Sequence, residues 1–287
     1  MNIKQTLEYG IELLKENNID EPILKTRIIL ANALNKTKEY LMVRELEKLN
    51  EDLVKVFKED ISKLCKNIPI QYIINKQEFM GLEFYVDENV LIPQPDTEIL
   101  VEEVINTCRG RACACPQKNI KILDLCTGSG AIGISIAKNI DNSEITLSDI
   151  SDDALNVAKK NCINNGFENE IKIIQSDLFE NIKDKFDIIL SNPPYIKSDI
   201  IKTLDKEVQN EPILALDGGE DGLDIYRKII EQACEYLNEN GYLCLEIGYD
   251  QKEEVIKLIE ETNKYTNIYS KKDLAGNDRI IICKKEN

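Results

Sequence analysis

From about residue 120 onward this 287-residue chain alternates short apolar, β-branched runs with segments of helical period. Residues 121–125, 144–148, 171–175, 186–190 and 241–247 carry the strand pattern, with helical stretches between them. Consecutive parallel strands need a long crossover, which a helix supplies, so the alternation points to a parallel, doubly wound α/β sheet. Two late runs, 266–271 and 279–284, extend it. Ligands of such sheets collect at the carboxyl ends of the strands, which makes the residues just after each strand the candidates for chemistry.

The fourth run ends most abruptly. Phe186-Asp187-Ile188-Ile189-Leu190 reads as a buried strand and gives way to Ser191-Asn192-Pro193-Pro194-Tyr195. The prolines lack N–H groups and fix φ, and Pro194 holds Pro193 extended, so the chain must leave the sheet and the Pro193 carbonyl stays outside the ladder. Beside it, the Asn192 side chain offers an oxygen acceptor on a short stem. Two acceptors can thus converge on one planar NH2 group, with Tyr195 as a flat apolar wall. A conjugated NH2 is a poor nucleophile until it is desolvated and oriented, and orientation is worth up to roughly 7–11 kcal/mol in intramolecular models. Taken alone, the stretch also reads as a turn that closes a strand.

The first run leads through Asp124-Leu125-Cys126-Thr127-Gly128-Ser129-Gly130 into a helix start at Ala131-Ile132-Gly133. Glycines let the backbone approach a ligand closely, and a helix N-terminus favours an anion. Gly128, Gly130 and Gly133 fit G-x-G-x-x-G, so the turn by itself leaves a nicotinamide and another adenosine cofactor both open. Asp149 ends the second strand, with Ile150 after it, and is placed to accept from ribose hydroxyls. Asp177 and Leu178 follow the third strand, where an adenine would lie. The plainer readings are a strand-end cap for Asp149 and core packing for Leu178. Asp217-Gly218-Gly219-Glu220-Asp221-Gly222 reads as an acidic, glycine-rich turn flanking the pocket.

Residues 1–68 read as a small helical bundle. Ile3, Leu7, Ile11 and Leu14 recur at helical spacing, Asp20-Glu21-Pro22 opens a second helix, Thr37 caps a third, and Asn50 opens a fourth carrying Leu53, Val54, Phe57, Ile61 and Leu64. Over 69–90 the pattern turns strand-like: Gln71-Tyr72-Ile73-Ile74 and Glu83-Phe84-Tyr85-Val86, around Gly81, are expected to pair as a β-hairpin linker. Residues 91–287 form the α/β domain. It is entered through Leu91-Ile92-Pro93-Gln94-Pro95-Asp96-Thr97-Glu98, where Asp96 or Thr97 caps a helix running to about Thr107.

Composition narrows the classes. Lys and Arg number 36 against 52 Asp and Glu, a formal charge of −16 and a pI near 4.7, which argues against gripping duplex nucleic acid by its phosphates. No apolar run approaches the roughly 18 residues of a membrane span and the first residues lack a signal-peptide core, so a cytoplasmic location is expected. The nine cysteines are odd in number. Cys126, Cys244 and Cys283 fall in strand patterns, as buried free thiols of a reducing compartment do. Cys108, Cys113 and Cys115 lack zinc spacing, and with no histidine in the chain no metal is expected; this segment reads as a surface connection.

In chain order these pieces resemble the S-adenosylmethionine-dependent glutamine N5-methyltransferases that modify peptide chain release factors. The resemblance runs through Pro69 to Ile74, the Ile92 to Glu98 loop, Asp124 to Gly130, Asn192-Pro193-Pro194-Tyr195, Glu211-Pro212 and the Asp217 to Leu223 loop, Leu245-Glu246-Ile247-Gly248, and Asp273 to Arg279. It implies a Rossmann-like class I methyltransferase sheet behind a helical substrate-binding domain. It implies S-adenosylmethionine as cofactor and methyl transfer to the glutamine of a release factor's glycine-glycine-glutamine loop, by a monomer needing neither nucleic acid nor membrane.

Carried over by position, Asp124, Cys126, Thr127, Gly128, Ser129 and Gly130 cradle the methionine end of the cofactor. Asp149 and Ile150 take its ribose, and Asp177 and Leu178 its adenine. Asn192, Pro193, Pro194 and Tyr195 form the catalytic turn, with Asn192 also against the cofactor. Cys126 stands where the family usually has glycine, Gln94 where it has arginine, and Leu178 where an aromatic is common. Adenine N6 DNA methyltransferases share the Asn-Pro-Pro-Tyr motif, and the acidic charge speaks against them. Ribosomal-protein glutamine methyltransferases are set apart by the Pro95-Asp96-Thr97-Glu98 loop. A nicotinamide oxidoreductase leaves Asn192 to Tyr195 unexplained.

Overall fold

The computed structural model describes residues 1–114 and 119–286. These divide into two compact units: residues 1–76 with 205–210, and residues 77–204 with 211–287.

The first unit is helical: α1 (Ile3–Glu16), α2 (Pro22–Leu34), α3 (Lys38–Val43), α4 (Glu51–Leu64) and the short α5 (Ile70–Ile74). Its helices start where side-chain oxygens cover orphan N–H groups. Asn2 and Gln5 form a reciprocal capping box on α1, the Thr37 hydroxyl accepts from Tyr40 N (3.3 Å), and Asn50 Oδ1 accepts from Leu53 N (2.7 Å). Asp20 does not cap α2; Glu21 precedes Pro22 in a left-handed conformation without a side-chain cap. Ile3, Leu14, Ile29, Leu30, Phe57 and Ile61 fill the core. A Cβ on Gly10 would stand 2.8 Å from both the Phe57 ring and the Thr26 methyl, so only glycine lets α1 approach this closely. Within this unit Lys25 pairs with Glu207 (2.5 Å) and Asn210 donates to the Asn67 carbonyl (2.9 Å).

Residues 71–74 correct an expectation: they lie in α5, not in a hairpin strand. Tyr72 and Ile73 are buried, and Asn75 ends the helix in a left-handed conformation. So short an apolar run carries no period that separates helix from strand. The hairpin instead pairs β1 (Gln77–Phe79) with β2 (Leu82–Phe84) through Met80 and Gly81, both at positive φ, as a two-residue hairpin turn requires.

The larger unit continues with α6 (Glu98–Ala114), β3 (Ile120–Leu125), α7 (Ala131–Asn139), β4 (Ser143–Asp149), α8 (Asp152–Asn164), β5 (Lys172–Gln175), β6 (Phe186–Ser191), α9 (Ile213–Leu216), α10 (Asp224–Tyr236), β7 (Leu237–Glu246), α11 (Lys252–Thr262), β8 (Tyr265–Lys272) and β9 (Asp278–Lys285). The strands order as β5-β4-β3-β6-β7-β9-β8. The first five are parallel, and β9 runs antiparallel to β7 and β8. Side chains alternate between faces: Ile122, Ile188 and Leu190 pack on one side, Leu123, Leu125 and Ile189 on the other. Helix α6 outruns its expected end, and Cys108 is fully buried in the core rather than part of a surface connection. The Cys113 side chain and Cys115 lie outside the described residues. Basic and acidic residues balance in the helical unit, so the −16 resides in the larger one. Among the described residues no helix is long and apolar enough to cross a membrane.

Candidate functional site

Strand order reverses between β3 and β6, and this opens a crevice at their carboxyl ends. Leu125 pairs with Ser191, so the residues that follow, Cys126 and Asn192, leave the sheet side by side. The Ser191 hydroxyl donates to the Leu125 carbonyl (2.8 Å) and pins the two exits together.

The turn after β3 is built from backbone bonds and left-handed residues. Thr127 N donates to Ser148 O (3.0 Å) and Gly130 N to Thr127 O (2.9 Å); Cys126, Gly128 and Gly130 have φ of 57°, 54° and 80°. A Cβ on Gly128 would meet nothing within 4 Å, whereas one on Gly130 would press on Ile134, Leu147 and Ala158. One glycine thus leaves a face open and the other lets α7 pack. Cys126 adopts the same left-handed conformation at a cost of roughly 1–2 kcal/mol, so the turn stays tight despite the departure from glycine.

Asp124 braces this turn from inside. Its Oδ2 accepts from the Thr127 hydroxyl (2.7 Å) and from Gly133 N (3.0 Å), while Oδ1 has no partner among the described residues. Burial pushes its carboxyl up to about 7 against those two bonds. Asp149, at the end of β4, accepts from Gly128 N (2.9 Å) and Ser151 N (3.0 Å), and burial raises its pKa too. Burial likewise pushes the Cys126 thiol up to about 12, with Asp149 adding to it.

A cavity of about 300 Å3 lies over this turn. Cys126, Thr127, Gly128, Ser129, Asp149, Ile150, Asp177, Leu178, Asn192 and Pro194 all line it. Asp124, Gly130, Pro193 and Tyr195 are not among its lining residues. Leu178 takes a φ of 47°, while its neighbour Phe179 is core, stacked on Tyr236 at 4.6 Å. Gln94 also lines the cavity, with its amide turned to the Ile92 carbonyl (3.0 Å). Val90, Leu91 and Leu214 complete apolar walls that sequence reasoning missed, because isolated apolar residues in loops carry no pattern. Buried Glu211 holds the Ile92 end of that wall through Ile92 N (2.9 Å). Asn161 on α8 grips Tyr85 by both N–H and carbonyl (2.7 and 2.9 Å) and donates to Ser129 O (2.9 Å).

Asn192 is held by its NH2 group, which donates to Thr97 Oγ1 (3.3 Å). Burial pushes the carboxyl of Glu246, at the end of β7, up to about 7, with Thr97, Arg279 and Asn192 opposing the rise. Neither Asn192 Oδ1 nor the Pro193 carbonyl accepts a hydrogen bond among the described residues. Tyr195 packs into the core on the second face of the sheet. Its carbonyl accepts from Gln251 Nε2 (3.0 Å), and burial raises the pKa of its phenol, with Arg279 opposing the rise. The acidic glycine loop lies against this turn: Gly218 N donates to Ile196 O (2.8 Å), Ile196 N to Leu216 O (2.9 Å), and Gln251 Nε2 to Gly222 O (3.2 Å).

Residues 5–74 match the PrmC N-terminal domain family, and residues 97–203 match the Methyltransferase small domain family. A release factor glutamine methyltransferase of Clostridium acetobutylicum is 41% identical, over 99% of this chain and 98% of its own length. One from Fusobacterium nucleatum is 42% identical, over 96% and 77%. Among solved structures, a methyltransferase from Pyrococcus furiosus shares the fold at a TM-score of 0.51 and 20% identity, covering 72% of this chain and 90% of that one. With such identity sustained along nearly its whole length, the chain belongs to the release factor glutamine methyltransferase family.

Proposed function

We propose that the chain transfers a methyl group from S-adenosylmethionine to the side-chain amide nitrogen, N5, of the glutamine in the glycine-glycine-glutamine loop of peptide chain release factors. The observation that carries this is the pair of uncommitted acceptors, Asn192 Oδ1 and the Pro193 carbonyl, on the strand exit beside the glycine turn.

The cavity's donor set suits the cofactor. Gly128 presents an open face to the amino-acid end. Asp149 keeps lone pairs free for a ribose diol after its two backbone bonds. Asp177 would meet adenine's amino group, and Ile150 and Leu178 its faces. When bound, S-adenosylmethionine supplies an electrophilic methyl group on a sulfonium sulfur.

The chain's own residues act on the amide. Asn192 accepts one of its hydrogens and the Pro193 carbonyl the other, so the NH2 plane is fixed and its open face is set toward the cavity. Neither group removes a proton beforehand, which suits a chain without histidine. The −16 on the larger unit disfavours a nucleic-acid substrate, whose phosphates it would repel.

The test is incubation with isotopically labelled S-adenosylmethionine and a purified release factor, followed by peptide mass spectrometry. Label on the loop glutamine is the expected result; label on any other residue overturns the reading.

A further inference from the structure

Helix α8 turns Ala154, Leu155, Val157, Ala158, Asn161 and Cys162 inward. Asn161 is the one amide among them, and it is completely buried, at 0% exposure. Its neighbours need only pack, but a buried amide must find hydrogen-bond partners or cost stability. Asn161 finds three. Its Oδ1 accepts from Tyr85 N (2.7 Å), and its Nδ2 donates to the Tyr85 carbonyl (2.9 Å) and to the Ser129 carbonyl (2.9 Å). A backbone N–H can only donate and a carbonyl can only accept, so these partners fix which way the amide points. One turn earlier on the same face, Ala158 already lies against the glycine turn, 3.3 Å from where a Cβ on Gly130 would stand.

The three bonds reach two walls of the cavity. Ser129 belongs to the turn after β3 and lines the cavity itself. Tyr85 follows β2 and is not a lining residue, but the segment it begins supplies Glu88, Asn89, Val90 and Leu91 to the lining. That segment turns on Asp87, whose carbonyl accepts from Val90 N (3.2 Å) and whose Oδ1 accepts from Asn89 N (3.1 Å). Glu211 holds its far end at Ile92 N (2.9 Å). Asn161 holds its near end, with the same amide that holds the glycine turn.

We propose that Asn161 is a positioning residue for the cofactor: one amide bonded to both walls keeps the 85–91 segment and the glycine turn at the separation S-adenosylmethionine needs. This rests on the cofactor reading given above. Without the clamp either wall can shift while the fold persists, because the hairpin and the sheet keep their own pairings. The binding-competent cavity is then populated for only a fraction of the time, and apparent affinity falls by that fraction. Once the cavity is filled its walls are back in place, so the methyl-transfer step keeps its rate. The expected split is the reverse of that for a group gripping the substrate.

The deciding variant is Asn161→Asp, which keeps the shape and the acceptor for Tyr85 N but turns a carboxylate oxygen toward two carbonyls. Calorimetry is expected to show the Kd for S-adenosylmethionine raised about 10- to 100-fold, while kcat at saturating cofactor and KM for a release factor stay within about two-fold. The control is Lys160→Ala, which removes an ammonium over the Tyr85 ring (3.1 Å from its centroid) and leaves the three Asn161 bonds in place. Its cofactor Kd should stay within about two-fold of wild type. Should Asn161→Asp fail to fold, amide exchange on the wild-type protein decides: saturating cofactor should slow exchange at the Tyr85 and Gly130 N–H groups by similar factors, because the two walls open together. A folded Asn161→Asp with wild-type Kd, a kcat that falls even at saturating cofactor, a Kd raised as much by Lys160→Ala, or a Tyr85 N–H indifferent to cofactor overturns the inference. Wild-type protein that does not bind S-adenosylmethionine in calorimetry defeats the cofactor reading instead.

Discussion

Gly218→Ala is a change outside the cavity whose effect should be felt on the catalytic turn. A Cβ at that position would lie 2.7 Å from Tyr195 Cα and 2.9 Å from both the Tyr195 carbonyl carbon and the Gly222 oxygen, where ordinary contacts begin at 3.4 Å. About 0.7 Å must therefore be opened, and overpacking of this kind costs about 1–3 kcal/mol. The atoms that must yield are backbone on both sides, tied by Gly218 N to Ile196 O and by Gln251 to Tyr195 O. Tyr195 follows Pro193 by two residues, so the displacement reaches the pair of acceptors. A misplacement approaching 1 Å at a reacting group costs on the order of 100-fold in rate, so a loss of about 10- to 100-fold in kcat is expected. Cofactor affinity should hold, because the turn after β3 is untouched. Turnover on a release factor, calorimetry with the cofactor and a thermal melt make the comparison. Gly276→Ala is the control: with φ of 89° and open space around it, it should lose roughly 1 kcal/mol of stability to backbone strain while kcat stays level. Gly218→Ala with wild-type turnover, or with cofactor affinity lost in proportion to turnover, refutes the reasoning.

Two further outcomes follow from groups whose pKa is raised. The Cys126 thiol lines the cavity, yet burial pushes it up to about 12, so iodoacetamide at pH 8 should leave it unmodified in the native protein; peptide mapping that finds Cys126 alkylated contradicts this. Asp124 is raised from 3.8 to about 7, so between those values the folded state holds a proton that the unfolded state has released. Its contribution to stability is complete below about pH 4 and is lost as pH rises to about 7. Asp124→Asn should flatten part of that decline in melts taken from pH 4 to 8, and an unchanged slope assigns the decline elsewhere.

The sheet was legible because its signal is long: five runs of strand period separated by helical crossovers admit few topologies, and the strands lie within a few residues of those expected. The glycine turn and Asn192 were legible because they break that period at the strand ends. Residues 71–74 were misread because four apolar residues satisfy helix and strand alike, and the burial of Tyr72 and Ile73 on a bundle settled the matter. Cys108 was misread because its cysteine-rich neighbours suggested a connection, whereas α6 carries it into the core. Thr97 and Glu246 carried no visible link to Asn192. Thr97 lies 95 residues away from it in the chain and Glu246 ends β7, the strand beside β6, so their nearness is a property of the fold. The role of Gly218 and Gly222 was hidden for the same reason, since close approach to Tyr195 is a property of the folded backbone.

The grip on the amide is tested most directly by Asn192→Ala, measured for turnover on a release factor and, by calorimetry, for S-adenosylmethionine binding. Removing one of two acceptors should cost on the order of 100- to 1000-fold in kcat, as loss of a positioned polar partner does in other active sites, with cofactor Kd within a few-fold of wild type. Turnover that survives the substitution, or cofactor binding lost to the same extent as turnover, contradicts the claim that Asn192 holds the substrate's nitrogen.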